Sequence, residues 1–398
     1  MRQPFLRSLS AIALVLLASI HVMAQENSEY VLVNTTVLEL EDTVGPGNAL
    51  YLSPDGSQLL HYKYPAFCFY ALPSAEQTRC VELPDDIGPP ANSVVWSPDS
   101  RYVAFMSGDV VRMFRDSDIA VIDSQEGTLT NLTEEGATNI RFGDQDDDDE
   151  PAPIVDMSPQ WLDDTTLVFV RIDMSGDEEE HPTALYSVSV EGGEAELLQE
   201  IPQSQKTFDV YMLNWLTGTN TYAVNLYNPD DDLYGVLFAE DGGFPVSIIA
   251  GTDFGSRAYS LGSIDISPDA QYVMSYDMRG LSMMTDETQT PAGSPVQITG
   301  TDDFITRPID SRYGVWDAGF SPDGTAIAYT VRHRDIQAED GLYITSTIGE
   351  DGTLVLPGRP VGPSLLGMQP ITWASNNTLL LIDMDNDYSL ILIELGRE

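Results

Sequence analysis

Positive charge is what this chain has least of. Of its 398 residues 18 are lysine or arginine and 63 are aspartate or glutamate, a net charge of −45. Lysine stands only at Lys63 and Lys206. A surface this acidic repels phosphate backbones, which argues against nucleic acid as a partner. It suits salty or cation-rich surroundings, where self-repulsion reaches only about 3 Å at 1 M salt.

Histidine, cysteine and long apolar runs are scarce as well. His61, His181 and His333 stand apart from one another, as surface or strand histidines do. The two cysteines, Cys68 and Cys80, are too few for a metal site. Reading FCFYAL (67–72) and TRCVEL (78–83) as hairpin arms sets them nearly opposite, so an oxidising compartment would join them; two free buried thiols are the alternative. The one sustained apolar run is Leu9 to Ile20, preceded by Arg2 and Arg7 and followed by Val22-Met23-Ala24. That order predicts a secretory signal over residues 1–24, with a retained anchor as the alternative. The run is too short to span a bilayer. No later run is long enough either, so the mature chain is expected to carry no membrane span and to be exported, periplasmic or extracellular.

Helical periodicity is also missing beyond the leader, and a β-repeat takes its place. An apolar or aromatic anchor is followed by Ser-Pro-Asp-Gly or a degenerate form, then by an alternating apolar run. The anchors are Leu52, Trp96, Trp161, Trp215, Ile266, Phe320 and Trp373, at spacings of 44, 65, 54, 51, 54 and 53 residues. Proline presets the turn, aspartate binds nearby N–H groups, and the last position tolerates positive φ. DIAVIDS (118–124), GTLTNLT (127–133), GLYITSTI (341–348) and GTLVLPG (352–358) read as the further strands of two of these units. Four strands per unit of this length predicts an all-β β-propeller over residues 25–398, of seven blades, with six or eight as alternatives. The last unit lacks an outer strand, and Tyr30–Leu40 has no unit of its own. Placed there, it closes the propeller and covers an edge.

Leu52–Gly56, Trp96–Ser100, Ile266–Ala270 and Phe320–Gly324, each followed by a strand, resemble the WD-repeat-like propeller repeat of TolB and related periplasmic proteins. The resemblance covers the mature chain, but there is no α/β domain ahead of the repeats, and seven are counted where TolB has six. It implies an exported propeller. Related blades occur in prolyl-peptidase propellers and in some lyases, so it leaves the activity open.

No catalytic motif is complete. Ala258–Gly262 and Gly362–Leu366 miss the spacing of a nucleophile elbow. Asp156, Asp209, Asp265 and Asp317, with Tyr313 and Trp316, precede the anchors and would line or rim a central channel, as a cation or polyhydroxyl site or as separate turn caps. Asp383, Asp385 and Asp387 carry the oxygen spacing of a calcium loop, although Tyr388 stands where such a loop needs glycine. A plain solvated turn is the alternative, and no other cofactor is called for. His333 between Arg332 and Arg334 makes a small basic cluster, either an anion site or a solvated edge. These features favour a monomeric binding or scaffold module for a protein or glycan. The extra loop at Asn139–Pro153, with Asp144–Glu150 inside it, is the expected contact for a basic surface. The alternative is a channel-site enzyme such as a lyase of the TolB-like type, with Arg257, Arg307 and Arg312 as its available cations.

Mass spectrometry of secreted protein should find an N-terminus at or within a few residues of Gln25. An intact Met1 on membrane-bound protein would refute the leader.

Overall fold

The computed structural model describes residues 30–40, 49–63, 65–84, 94–109, 115–133, 154–173, 183–200, 209–216, 221–228, 233–240, 247–250, 264–266, 268, 272–275, 294–297, 315–331, 340–346, 352–362 and 371–397. The predicted leader and Asn139–Pro153, with Asp144–Glu150 inside it, lie outside them, as do His181, Tyr313, the His333 cluster, Arg257, Arg307 and Arg312.

The turn motif is where local chemistry becomes architecture. In the first turn the Ser53 hydroxyl donates to Asp55 Oδ1 at 2.8 Å and accepts the Gln58 N–H at 2.9 Å, while Asp55 Oδ1 also accepts the Ser57 N–H at 2.9 Å. Ser97 with Asp99, and Ser321 with Asp323, repeat this arrangement. Burial opposes ionisation at Asp55 and Asp323, but the converging N–H and hydroxyl donors outweigh it and lower both pKa values. The fourth position is left-handed in each case: φ is 69° at Gly56, 68° at Gly324 and 62° at Ser100. Ser100 bears a Cβ there, and its hydroxyl accepts the Asp55 N–H of the preceding turn at 3.1 Å.

Each turn joins the first two strands of an antiparallel sheet. The first sheet runs β2 (Ala49–Leu52), β3 (Gln58–Lys63), β4 (Ala66–Ala71), β5 (Glu76–Glu82). The second runs β6 (Val95–Trp96), β7 (Tyr102–Asp109), β8 (Arg115–Asp123), β9 (Leu129–Asn131), and the third β10 (Ile154–Trp161), β11 (Thr166–Asp173), β12 (Thr183–Ser189), β13 (Glu196–Glu200). The fourth comprises β14 (Asp209–Leu216), β15 (Thr221–Asn228), β16 (Leu233–Glu240) and β17 (Ser247–Ala250), and the fifth β18 (Ile264–Ile266), β19 (Tyr272–Ser275) and β20 (Ser294–Gln297). The sixth has β21 (Val315–Phe320), β22 (Ala326–Val331), β23 (Gly341–Ser346) and β24 (Thr353–Pro357). In the last, β25 (Pro360–Val361) and β26 (Thr372–Ser375) both pair with β27 (Thr378–Asp383), which pairs with β28 (Ser389–Arg397), and β28 with β1 (Tyr30–Leu38). Every pairing is antiparallel. A succession of small sheets, all but the last wound from contiguous sequence, is a propeller architecture.

Neighbouring sheets pack face to face through apolar side chains. Phe67, Phe69, Phe105 and Ile122 join the first sheet to the second, and Ile119, Phe169 and Leu167 the second to the third. The sixth meets the last through Ala328, Leu342, Leu379 and Ile391, and the last meets the first through Leu380, Ile382, Leu50 and Leu59.

The tryptophan anchors add a polar stitch. The indole N–H of Trp96 donates to the Tyr51 carbonyl at 3.3 Å, that of Trp161 to Val95 at 3.1 Å, and that of Trp373 to Gly319 at 3.1 Å. In all three the acceptor immediately precedes the anchor of the sheet before. Close to the last of these, Ile371 N–H donates to the Ala318 carbonyl at 3.1 Å. A Cβ on Gly319 would lie 2.4 Å from the Ile371 oxygen, so no side chain fits there.

β1 carries a bulge between Leu32 and Asn34. The extra residue reverses the alternation of the strand. Tyr30 and Leu32 therefore pack towards the sixth sheet, while Leu38 and Leu40 pack towards the first. The Arg397 guanidinium lies 4.8 Å from the Tyr30 ring and donates to its hydroxyl, fastening the two ends of the described chain. Cys68 and Cys80 are directly opposed on β4 and β5, with Cα atoms 4.0 Å apart and sulfurs bonded.

Trp161→Phe removes the indole bond to the Val95 carbonyl across the cleft, together with buried ring volume. Urea unfolding should show a loss of about 2–4 kcal/mol. A loss under about 0.5 kcal/mol, that of an ordinary surface change, would refute the stitch.

Candidate functional site

The inner-strand acids were the strongest site candidates in the sequence, and the structure gives two of them specific duties. Asp156 lies on β10 with 1% of its surface exposed. Its carboxylate takes both arms of Arg171 from the facing strand β11, Nε to Oδ1 at 2.7 Å and Nη2 to Oδ2 at 2.7 Å. Its carbonyl accepts the Ser117 hydroxyl of the second sheet at 2.8 Å. The Arg171 guanidinium also covers the Tyr186 ring at 4.8 Å and the Phe169 ring at 5.6 Å. Asp317, on β21, is fully buried, and its Oδ2 accepts the Gly362 N–H just beyond β25 at 2.9 Å. Its own N–H donates to Thr330 Oγ1 at 3.3 Å.

Both acids therefore connect one sheet to the next, and each is committed to its own neighbours. Asp209 falls on β14, Asp265 on β18 and Trp316 on β21, all on first strands as the repeat predicted. The alternation of those strands could be read from sequence. The partner Arg171 could not, because only the β10–β11 register sets it opposite Asp156.

Asp383, Asp385 and Asp387 occupy the turn between β27 and β28 and do not converge. Asp385 faces Arg359, with Nε to Oδ1 at 2.7 Å, and its other oxygen accepts the Arg359 N–H at 3.0 Å. Asp383 accepts the Asp385 N–H and the Asn386 amide. Asp387 and Tyr388 adopt φ of 50° and 59° to complete the reversal. Among the described residues no group of three or more His, Cys, Asp or Glu is placed to hold a metal ion.

The arginines form the pattern that sequence reading missed. Arg79 donates to the carbonyls of Gln125 at 2.7 Å and Glu126 at 2.9 Å, joining β5 to the turn of the second sheet. Arg101 grips Asp123 at 2.8 and 3.0 Å. Burial raises the Asp123 pKa, but Arg101 and the N–H groups of Glu126 and Gln125 outweigh it and lower the carboxyl. With Arg171 on Asp156, Arg359 on Asp385 and Arg397 on Tyr30, every arginine whose side chain is described holds a strand, turn or sheet to another.

No protein-family model matches the chain, and no curated protein matches it in sequence. Solved structures do. An oligogalacturonate lyase in complex with manganese is 13% identical with a TM-score of 0.54, the match covering 93% of this chain and 98% of that one. Kuenenia stuttgartiensis hydrazine synthase is 14% identical with a TM-score of 0.53, covering 90% and 99%. At such identities the likeness is one of fold.

Arg171→Met leaves the buried Asp156 carboxylate without its counter-charge and should cost about 3–5 kcal/mol. Adding Asp156→Leu should recover part of that loss in the same denaturation assay. Costs that simply add would show that the two side chains are not coupled.

Proposed function

We propose that the chain is an exported seven-bladed propeller, closed by β1 against β28, that acts by binding a protein or glycan in the cell envelope or outside the cell. The observation that carries this reading is the use made of the five arginines whose side chains are described. Arg79, Arg101, Arg171, Arg359 and Arg397 are all spent on internal ties. A site that stabilises a developing anion needs preorganised donors that are not already engaged. What the protein offers its surroundings is a rigid, strongly acidic surface, whose field accelerates encounter with basic partners.

The loop at Asn139–Pro153 carries Asp144–Glu150, its densest acidic run, and is the proposed contact. Removing residues 144–150 should weaken binding to immobilised cationic envelope proteins or amino-sugar polymers by about tenfold, given the weight of charge in encounter rates, with the melting temperature unchanged. Formation of an unsaturated product from oligogalacturonate by the purified protein, lost on substituting Arg257, Arg307 or Arg312, would replace this reading with a lyase.

A further inference from the structure

The disulfide differs from the indole bonds in what it joins. Those tie sheet to sheet, whereas Cys68 and Cys80 lie on neighbouring strands of one sheet, 12 residues apart in sequence. The shorter the loop a disulfide closes, the less it restrains the unfolded chain. The two ends of the bond also meet different surroundings. Cys68, on β4, is 8% exposed and packs with Leu50, Leu59 and Tyr70 in the cleft towards the last sheet. Cys80 is exposed on β5, an outer strand that pairs on one side only among the described strands. A thiolate from solution can therefore approach one end of the bond and not the other.

His61 completes the row. Register sets it directly opposite Cys68 on β3, as it sets Cys80 opposite Cys68 on β5, so the three side chains cross the sheet on one face. His61 is 1% exposed, and its ring centroid lies 6.3 Å from that of Tyr70. Directly opposed residues on paired strands have Cβ atoms about 4.5–5.5 Å apart, which brings an imidazole within reach of the sulfur. An imidazole N–H can donate to a thiolate, and a disulfide exchanges faster when its leaving thiolate is better stabilised. The bond has its entrance at Cys80 and its supported leaving group at Cys68.

We propose that Cys68–Cys80 is a thiol-exchange site, at which a thiolate attacks the Cys80 sulfur and Cys68 leaves as a thiolate beside His61. One S–S bond forms as one breaks, and the proton that the incoming thiol lost on ionising is matched by the one Cys68 takes up. With a monothiol the products are a mixed disulfide on Cys80 and a free Cys68 thiol. With a dithiol the second thiolate then displaces Cys80, so the reductant departs as its own disulfide and its two electrons stay on the cysteine pair. The β4–β5 ladder and the Arg79 bonds to the Gln125 and Glu126 carbonyls do not involve the sulfurs, so the sheet keeps its shape through the exchange.

Folded protein treated briefly with 2-mercaptoethanol, quenched in acid, then unfolded and alkylated, should show the mercaptoethanol adduct on Cys80 and the alkyl group on Cys68 in peptide maps. Dithiothreitol should reduce the pair in native buffer at a rate proportional to its concentration, with the circular dichroism unchanged. His61→Leu should slow that reduction about tenfold, as expected when a leaving thiolate loses its support, and His61→Gln, which keeps an N–H donor, should recover part of the rate. In urea, where β3 and β4 no longer pair, the parent and both variants should react alike. A bond that dithiothreitol reduces only once the chain is unfolded overturns the proposal, and so does an adduct on Cys68. A folded His61→Leu variant as fast as the parent overturns the part given to His61.

Discussion

In three places the indole N–H of a tryptophan on one sheet donates to a backbone carbonyl near the end of the preceding sheet's first strand. The bond is directional, and the ring that carries it fills the cleft. One residue thus fixes both the separation of two sheets and their register. The turn motif depends on that placement. Only when adjacent first strands are in step does Ser100 come within reach of Asp55, and Asn376 within reach of the Asp323 N–H at 3.0 Å. Where the last sheet's Ile371 lies against the sixth, Gly319 leaves the room that a side chain would fill.

Much of this could be read in the sequence, because the repeat is local. A Ser-Pro-Asp-Gly turn and its two strands lie within about fifteen residues, so their alternation reports burial directly. The unpaired run Tyr30–Leu40 was legible by elimination. Its bulge was not, since one strand has to serve two clefts and that need shows only when both neighbours are in place. The role of the motif serine was likewise hidden. Ser53, Ser97 and Ser321 are spent inside their own turns, as donors to an aspartate and acceptors from the backbone.

The sites were legible only in part, for a different reason. Residue types at a given spacing left calcium or a plain solvated turn open at Asp383, Asp385 and Asp387, and gave no sign that Arg359, 26 residues away, pairs with the middle carboxylate. In the same way, Asp156 was recognisable as a first-strand acid and its commitment to Arg171 was not. Where cations are this rare, each one decides what a nearby carboxylate can do, and its position is set by register.

The pairing of β1 with β28 joins Tyr30 to Arg397 across 367 positions of sequence, whereas every other described sheet is made from one contiguous stretch. A chain made from its N-terminus therefore completes six sheets in turn as each stretch emerges, while its earliest strand waits unpaired for the last. The rate at which the chain is delivered sets the length of that wait. Throughout it a nine-residue uncharged strand is available to any edge it meets, so closing the loop between the two ends is the slow step, and the one most exposed to capture.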